Sequence, residues 1–276
     1  MQRPALIPLL VTLALGCASD DTRSEAPRQP GTLALTITGG DFIQSGSPEG
    51  AFADGWTVTY DRFLVSLASA SVGVGGQAVV TLDLPRVLDL AKPSADGVEL
   101  ASAEVEGGTF TDVGYRIAPA SGATQPASGA TAADVDDMRQ GGYSVLVEGK
   151  AVKGAITKSF RWGFTTDTVY TACETEAQVD GGRTAVAITI QADHLYHDSL
   201  EPLSADVRFD LMAGADKDND GKVTQAELTA VDIRGATQYQ SGDAGAEDLW
   251  AYLNVAVPTL GHIDGEGHCA AAPGGQ

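Results

Sequence analysis

The sequence predicts a mainly β protein, an antiparallel β-sandwich followed by a small C-terminal α region. Three observations point there. Between residues 32 and 196 the chain is a succession of short β-rich runs separated by Gly-rich or Ser-rich stretches, the texture of antiparallel strands joined by turns. After about Leu200 the apolar period lengthens from two toward that of a helix. With 43% hydrophobic residues among 276, the chain also carries enough apolar mass for a sizeable core, which excludes a disordered polymer.

The strand runs are TLALTITG from Thr32, WTVTYDRFLVSLASASVGV from Trp56, AVVTLDL from Ala78, TFTDVGYRIAP from Thr109, YSVLVEGKAV from Tyr143, ITKSFRWGFTT from Ile156 and TAVAITIQADHLY from Thr184. Val58 and Tyr60, then Val65 and Leu67, and later Val186, Ile188 and Ile190, recur at the two-residue spacing that places side chains on one face of a strand. Glycine breaks at 73–76, 107–108 and 181–182 separate the runs. Sheets with one apolar face bury it best against each other, hence the sandwich. Residues 120–133, rich in Ser, Thr, Gly and Ala, are expected to form a long surface loop. In the C-terminal third, 205–215 and 226–231 read as short helices. Residues 247–255 place Leu249, Trp250 and Leu253 on one helical stripe, with Trp250 expected in the core.

The N-terminus has a different character. Arg3 and an apolar run over 5–15, too short to remain as a membrane span, read as a cleaved export signal. The stretch Leu13-Ala14-Leu15-Gly16-Cys17 resembles the lipobox of bacterial lipoproteins, in which the cysteine becomes the acylated first residue. That resemblance implies lipidation at Cys17 and a firm membrane anchor, each buried methylene contributing about 0.8 kcal/mol. The expected organisation is a signal over 1–16, a polar tether over 17–31, a β-sandwich over 32–200 and a C-terminal region over 201–276. Such a protein sits in the cell envelope, outside the cytoplasm, on the outer membrane or cell surface. A formal charge of -20 excludes nucleic acid as a partner and concentrates cations such as Ca²⁺; no protein partner is written in the sequence. Setting Cys17 aside leaves Cys173 and Cys269, an even pair in an exported chain, so a disulfide between them is expected.

The most specific signal is Asp216-Lys217-Asp218-Asn219-Asp220-Gly221-Lys222-Val223-Thr224-Gln225-Ala226-Glu227. Calcium takes six to eight oxygens, and a twelve-residue loop supplies them from positions 1, 3, 5, 7, 9 and 12. These are Asp216, Asp218, Asp220, the carbonyl of Lys222, Thr224 directly or through water, and Glu227, expected to be bidentate. Gly221 stands where the chain must turn with positive φ, Val223 supplies a small apolar anchor, and Thr224 with Glu227 forms a capping-box pattern that starts a helix. The segment closely resembles the EF-hand family. EF-hands usually work in pairs, yet the nearest candidate for a second loop, 240–243, has no alternating acidic ligands. A lone hand in an exported protein is expected to be a weak, structural site with a dissociation constant on the order of 10⁻⁴ to 10⁻³ M.

All four histidines lie in the C-terminal third, as His194 and His197 and as His262 and His268. In an extended strand His262, Asp264, Glu266 and His268 share a face, a set of N and O ligands suited to Zn²⁺ or Cu²⁺. The competing reading is a Gly-rich polar tail pinned by Cys269, which the unspecific spacing favours. No Gly-x-Ser-x-Gly elbow, phosphate-binding loop or His-Glu-x-x-His helix occurs, so the chain reads as a non-enzyme. The succession 57–118, then Asp137-Met138-Arg139-Gln140-Gly141-Gly142-Tyr143, then Phe160-Arg161-Trp162-Gly163-Phe164 up to Cys173, resembles the order of strand motifs in the MbnP-like family of exported copper-binding proteins. That resemblance implies a β-sandwich body and copper binding. The leading expectation is a lipid-anchored calcium-binding protein with a binding or structural role. The alternative is a copper- or zinc-handling protein that uses the histidines.

Overall fold

The structure, a computed structural model, describes residues 28–92, 94, 97–200, 205–239, 241 and 244–275. The expected export signal over 1–16, Cys17 and most of the expected tether over 17–31 lie outside the described residues. In chain order, β1 (Gly31–Gly39) leads through α1 (Asp41–Gln44) into the long β2 (Thr57–Val74). There follow β3 (Gln77–Thr81), β4 (Arg86–Asp89), β5 (Val98–Val105), β6 (Gly108–Phe110), β7 (Asp112–Ile117) and β8 (Gln125–Pro126). Helix α2 (Ala132–Gly141) precedes the hairpin β9 (Val145–Lys153) and β10 (Ile156–Phe164), then come β11 (Thr168–Thr171), β12 (Ala177–Val179) and β13 (Arg183–Ile190). The C-terminal part holds α3 (Asp210–Ala213), β14 (Lys222–Val223), α4 (Gln225–Thr229), α5 (Leu249–Ala256), β15 (Gly261–Ile263) and β16 (Ala270–Pro273).

The fold is a mainly β sandwich with a C-terminal α region. Apart from a separate two-stranded ribbon formed by β6 and β12, one large sheet runs β15-β13-β1-β5, and the other runs β14-β10-β9-β2-β7-β11-β16, with β3 and β4 also paired to β2 and β8 paired to β4. Their inner faces meet in one core: Leu33, Leu35 and Ile37 of β1 and Val186, Ile188 and Ile190 of β13 bury against Phe63, Val65 and Leu67 of β2 and Trp162 and Phe164 of β10. The sheets are mixed rather than purely antiparallel, since β1 with β13, β10 with β14 and β4 with β8 pair in parallel. Parallel pairing needs a long connection, and each of these pairs is separated by a long stretch of chain.

Strand β2 explains its own change of phase. Val58 and Tyr60 occupy even positions, whereas Phe63, Val65 and Leu67 occupy odd ones, and the register against β9 shifts between Tyr60 and Arg62. The bulge carries one extra residue and turns the odd positions inward. The even residues beyond it, Leu64 and Ser66, are buried as well. Leu64 joins Val87, Leu146, Val135 and Met138 in a second, smaller cluster beneath α2.

Helix α2 overlaps only the last two residues of the long surface loop expected over 120–133, which also carries the short β8. The Thr131 hydroxyl accepts from the Asp134 N–H while the Asp134 carboxylate accepts from the Thr131 N–H, a complete capping box, and Gly142 closes the helix at φ 65°. Arg62 of β2 donates to Asp134 and, through two nitrogens, to Glu148 of β9, tying the helix to the sheet.

In the C-terminal region the helix expected over 205–215 is confined to α3. The Asp54 carboxylate accepts the N–H groups of both Phe209 and Asp210, supplying from a distant loop the cap that starts the helix there. Trp250 is half-buried rather than core, its ring stacked on Phe164 at 4.9 Å. The region beyond 201 is not wholly helical, because β14, β15 and β16 return to the two sheets. Cys173 and Cys269 form a disulfide at the end of the β11–β16 pair.

Candidate metal centres

The Asp216–Glu227 segment folds by its own side chains. Asp216 Oδ2 accepts from the Gly221 N–H at 3.0 Å, Asp218 Oδ1 from Asp220 N at 3.1 Å, and Asp220 Oδ1 from Lys222 N at 2.7 Å. Each short acidic side chain thus curls the backbone around a common centre, and Asn219 and Gly221 take the positive φ values, 59° and 83°, that the curl requires. One carboxylate oxygen from each of Asp216, Asp218 and Glu227 lies within 4.8 Å of the others. Asp216 is 5% exposed, and its Oδ1 has no hydrogen-bond partner among the described residues. The Lys158 ammonium, 2.5 Å from Asp216 Oδ2, and the Gly221 N–H hold the Asp216 carboxyl below the usual carboxylate range. Both of those donors meet Oδ2, so Oδ1 is the free oxygen.

The other expected ligands divide. Glu227 Oε2 accepts from both the N–H and the hydroxyl of Thr224, and the Thr224 hydroxyl accepts from Glu227 N, so this pair serves as the cap of α4. The Asp220 carboxylate is engaged by the Lys222 N–H and ammonium. Lys222 and Val223 form β14, which pairs with Ser159 and Phe160 of β10. Around that joint the Ser159 N–H donates to Gly221 O at 2.9 Å and the buried Trp162 indole N–H donates to Val223 O at 2.8 Å. The loop is therefore docked on the edge of the larger sheet.

The four histidines also converge, though not by an extended face. Asp264 at φ 48° and Gly265 at φ 94° form a tight turn, closed by Ile263 and Gly267 bonding each other in both directions. A turn breaks the two-residue alternation, so the expected shared face of His262, Asp264, Glu266 and His268 does not exist. Asp264 accepts from Ala187 N and the Thr175 hydroxyl, and Glu266 accepts from Gln191, so both carboxylates hold the turn. The rings instead stand in a row. His197 and His194 have centres 4.7 Å apart, His194 and His262 5.0 Å, and His262 and His268 5.4 Å.

Asp193, unmarked in the sequence, stands among them. One ligand atom from each of Asp193, His194 and His197 lies within 4.8 Å of the others, with Asp193 Oδ2 3.5 Å from His197 Nε2. These three sit on the short 3₁₀ turn Asp193–Tyr196 and the residue after it, where Leu195 and Tyr196 plug into the core. One full 3₁₀ turn separates His194 from His197 and brings the two rings to one side. Burial pushes the His194 imidazole down to about 4, with His197 and His262 adding to the fall and Asp193 opposing it. His262, at the centre of β15, is 3% exposed, and neither ring nitrogen has a hydrogen-bond partner among the described residues.

The sequence did contain the signal for Asp193. An Asp-His-x-x-His spacing places three ligands on one turn, but a run read as strand hides it. Compared with known proteins, the chain matches no family model, no curated protein and no solved structure.

Proposed function

We propose that this chain is an exported, lipid-anchored calcium-binding protein with a binding or structural role, in which one Ca²⁺ in the Asp216–Glu227 loop fastens the C-terminal α region to the sandwich. The observation that carries the reading is the buried Asp216 carboxylate, with Oδ2 occupied by two donors and Oδ1 left without a partner beside Asp218 and Glu227. A buried charged oxygen without a partner is costly, and a hard cation with carboxylate and carbonyl ligands removes that cost.

The solitary loop has a physical rationale. The short strand that a second hand would brace is paired here with β10 and held by Trp162. The sheet edge takes the place of the missing partner, which favours a permanently filled brace over a sensor that opens. Lys158 and Lys222 close to the carboxylates reduce the net negative charge and agree with a dissociation constant on the order of 10⁻⁴ to 10⁻³ M.

Thermal unfolding in calcium and in chelator tests this reading. At ten times the dissociation constant the ion contributes about 1.4 kcal/mol, and a chain of this size gains roughly 3–6 °C. Asp216→Ala and Glu227→Gln are expected to remove the gain. Equal melting of the unaltered chain under the two conditions refutes the proposal.

A further inference from the structure

We infer that Asp193, His194, His197 and His262 form a binding site for a divalent d-block cation, Zn²⁺ or Cu²⁺, separate from the calcium loop. Asp193, His194 and His197 each bring one ligand atom within 4.8 Å of the others, and the His262 ring stands beside that of His194. An imidazole nitrogen lies about 2.0–2.1 Å from such a metal, which puts the ring centre about 3.2 Å away and two tetrahedral neighbours about 5.2 Å apart. The observed 4.7 Å between His197 and His194 and 5.0 Å between His194 and His262 fall just short of that value. The same geometry separates ligand atoms by about 3.3 Å, and Asp193 Oδ2 stands 3.5 Å from His197 Nε2, long for a good hydrogen bond.

Two further observations point to a ligand. His262 is buried with both nitrogens unpartnered, so its N–H and its lone pair lack the bonds that buried polar groups almost always make. The segment presenting it is firmly placed, since the Tyr115 hydroxyl donates to His262 O and Gly261 packs against the rings of Tyr115 and Tyr170 so closely that a side chain would collide. His194 is already oriented as metal-binding imidazoles are. Its Nδ1 lies 3.0 Å from Thr259 Oγ1, whose own proton goes to Ala256 O. The Thr259 oxygen must therefore accept, Nδ1 carries the hydrogen, and Nε2 offers a lone pair.

Three nitrogens and one carboxylate suit Zn²⁺ and Cu²⁺, whereas Ca²⁺ prefers oxygen alone. An approach from solvent exists, because Asp193 also lines an open cleft of about 580 Å³ with Asp41 and Glu266, an acidic entrance for a cation. His268 is exposed at the far end of the row, 5.4 Å from His262, and is not needed for the four-ligand set.

The test uses the full chain, stripped with chelator, restored with calcium, and titrated with Zn²⁺ and with Cu²⁺ by calorimetry, the copper form being examined by electron paramagnetic resonance. One equivalent is expected to bind, with hyperfine structure from more than one imidazole nitrogen. His194→Ala and His197→Ala, at half-buried positions, should each weaken binding by at least about tenfold, and Thr259→Val, which frees the tautomer, by about tenfold. His262→Asn should do the same, its fold being checked by near-ultraviolet circular dichroism. Glu227→Gln should leave the titration unchanged, which keeps this site's outcome apart from that of the calcium loop. The inference is overturned if neither ion binds the unaltered chain, if folded His194→Ala and His197→Ala bind at full strength, or if only His268→Ala or Glu227→Gln abolishes binding.

Discussion

Replacing Trp162 with Phe isolates the joint between the Asp216–Glu227 loop and the sheet. Trp162 is fully buried, stacks on Phe160 at 4.5 Å, and donates its indole N–H to Val223 O at 2.8 Å. The substitution removes that hydrogen bond, worth about 1 kcal/mol, and leaves space where the second ring stood, at about 1–2 kcal/mol. A total of about 2–3 kcal/mol lowers the melting temperature by roughly 4–12 °C in a chain of this size. In the proposed site Lys222, the residue before Val223, supplies its carbonyl, so the same change should weaken calcium binding. Melting curves and calcium titrations of Trp162→Phe, Glu227→Gln and the double variant form a cycle, and coupling of at least about 0.5 kcal/mol is expected. Unchanged calcium affinity, with the two effects adding within about 0.3 kcal/mol, would show that the sheet does not brace the loop.

Asp134 supplies a pH signature. Burial alone would raise its carboxyl, but the Thr131 hydroxyl and N–H and the Arg62 guanidinium outweigh burial and hold it below the usual range. A carboxyl depressed in the folded state contributes stability that is present above the unfolded value near 4 and lost as pH falls through the folded value. Asp134→Asn should accordingly cost about 1 kcal/mol at neutral pH, with the gap to the unaltered chain closing in acid when both are followed by denaturant unfolding. Reducing the Cys173–Cys269 bridge, which spans 96 residues, should cost about 4–5 kcal/mol in the chain-entropy picture, seen as a large fall in melting temperature on adding reductant. Met138→Ala should cost about 2–5 kcal/mol by opening a cavity beneath α2, with no effect on the calcium-induced gain. Cys17→Ala should move the protein from the membrane to the soluble fraction, and unchanged fractionation would refute lipidation at that residue.

Much of the fold was legible because strands that bury one large apolar face announce themselves. Leu33, Leu35 and Ile37, or Val186, Ile188 and Ile190, need nothing beyond alternation to be placed in the core. Strand β5 went unseen because its alternation is carried by small alanines, and β16, exposed throughout, is held by its pairing with β11 beside the disulfide. Helix α2 was hidden by its brevity and its few apolar contacts, although Thr131 and Asp134 stood at capping-box spacing. The parallel pairing of β1 with β13 is a long-range choice that no local pattern encodes.

At the sites the same division holds. The Asp216–Glu227 loop was readable because its acidic residues alternate within one short segment and its bonds are local. What the sequence concealed was its docking on β10 through Trp162, a contact across 61 positions. The histidines were visible as residues but not as a geometry. Asp264-Gly265 is a turn signal, and giving it weight over the alternation of His262 and His268 would have predicted the reversal seen in the structure.

The proposed calcium brace is tested most directly by terbium, which takes oxygen ligands much as calcium does and emits when a nearby indole transfers energy to it. Trp162, bonded to the loop at Val223, is the built-in donor. Titration of the stripped chain with Tb³⁺ should give sensitised emission that saturates at one equivalent, is displaced by Ca²⁺, and disappears in Asp216→Ala. Absent emission, or emission that persists unchanged in Asp216→Ala, would contradict a metal centre in this loop.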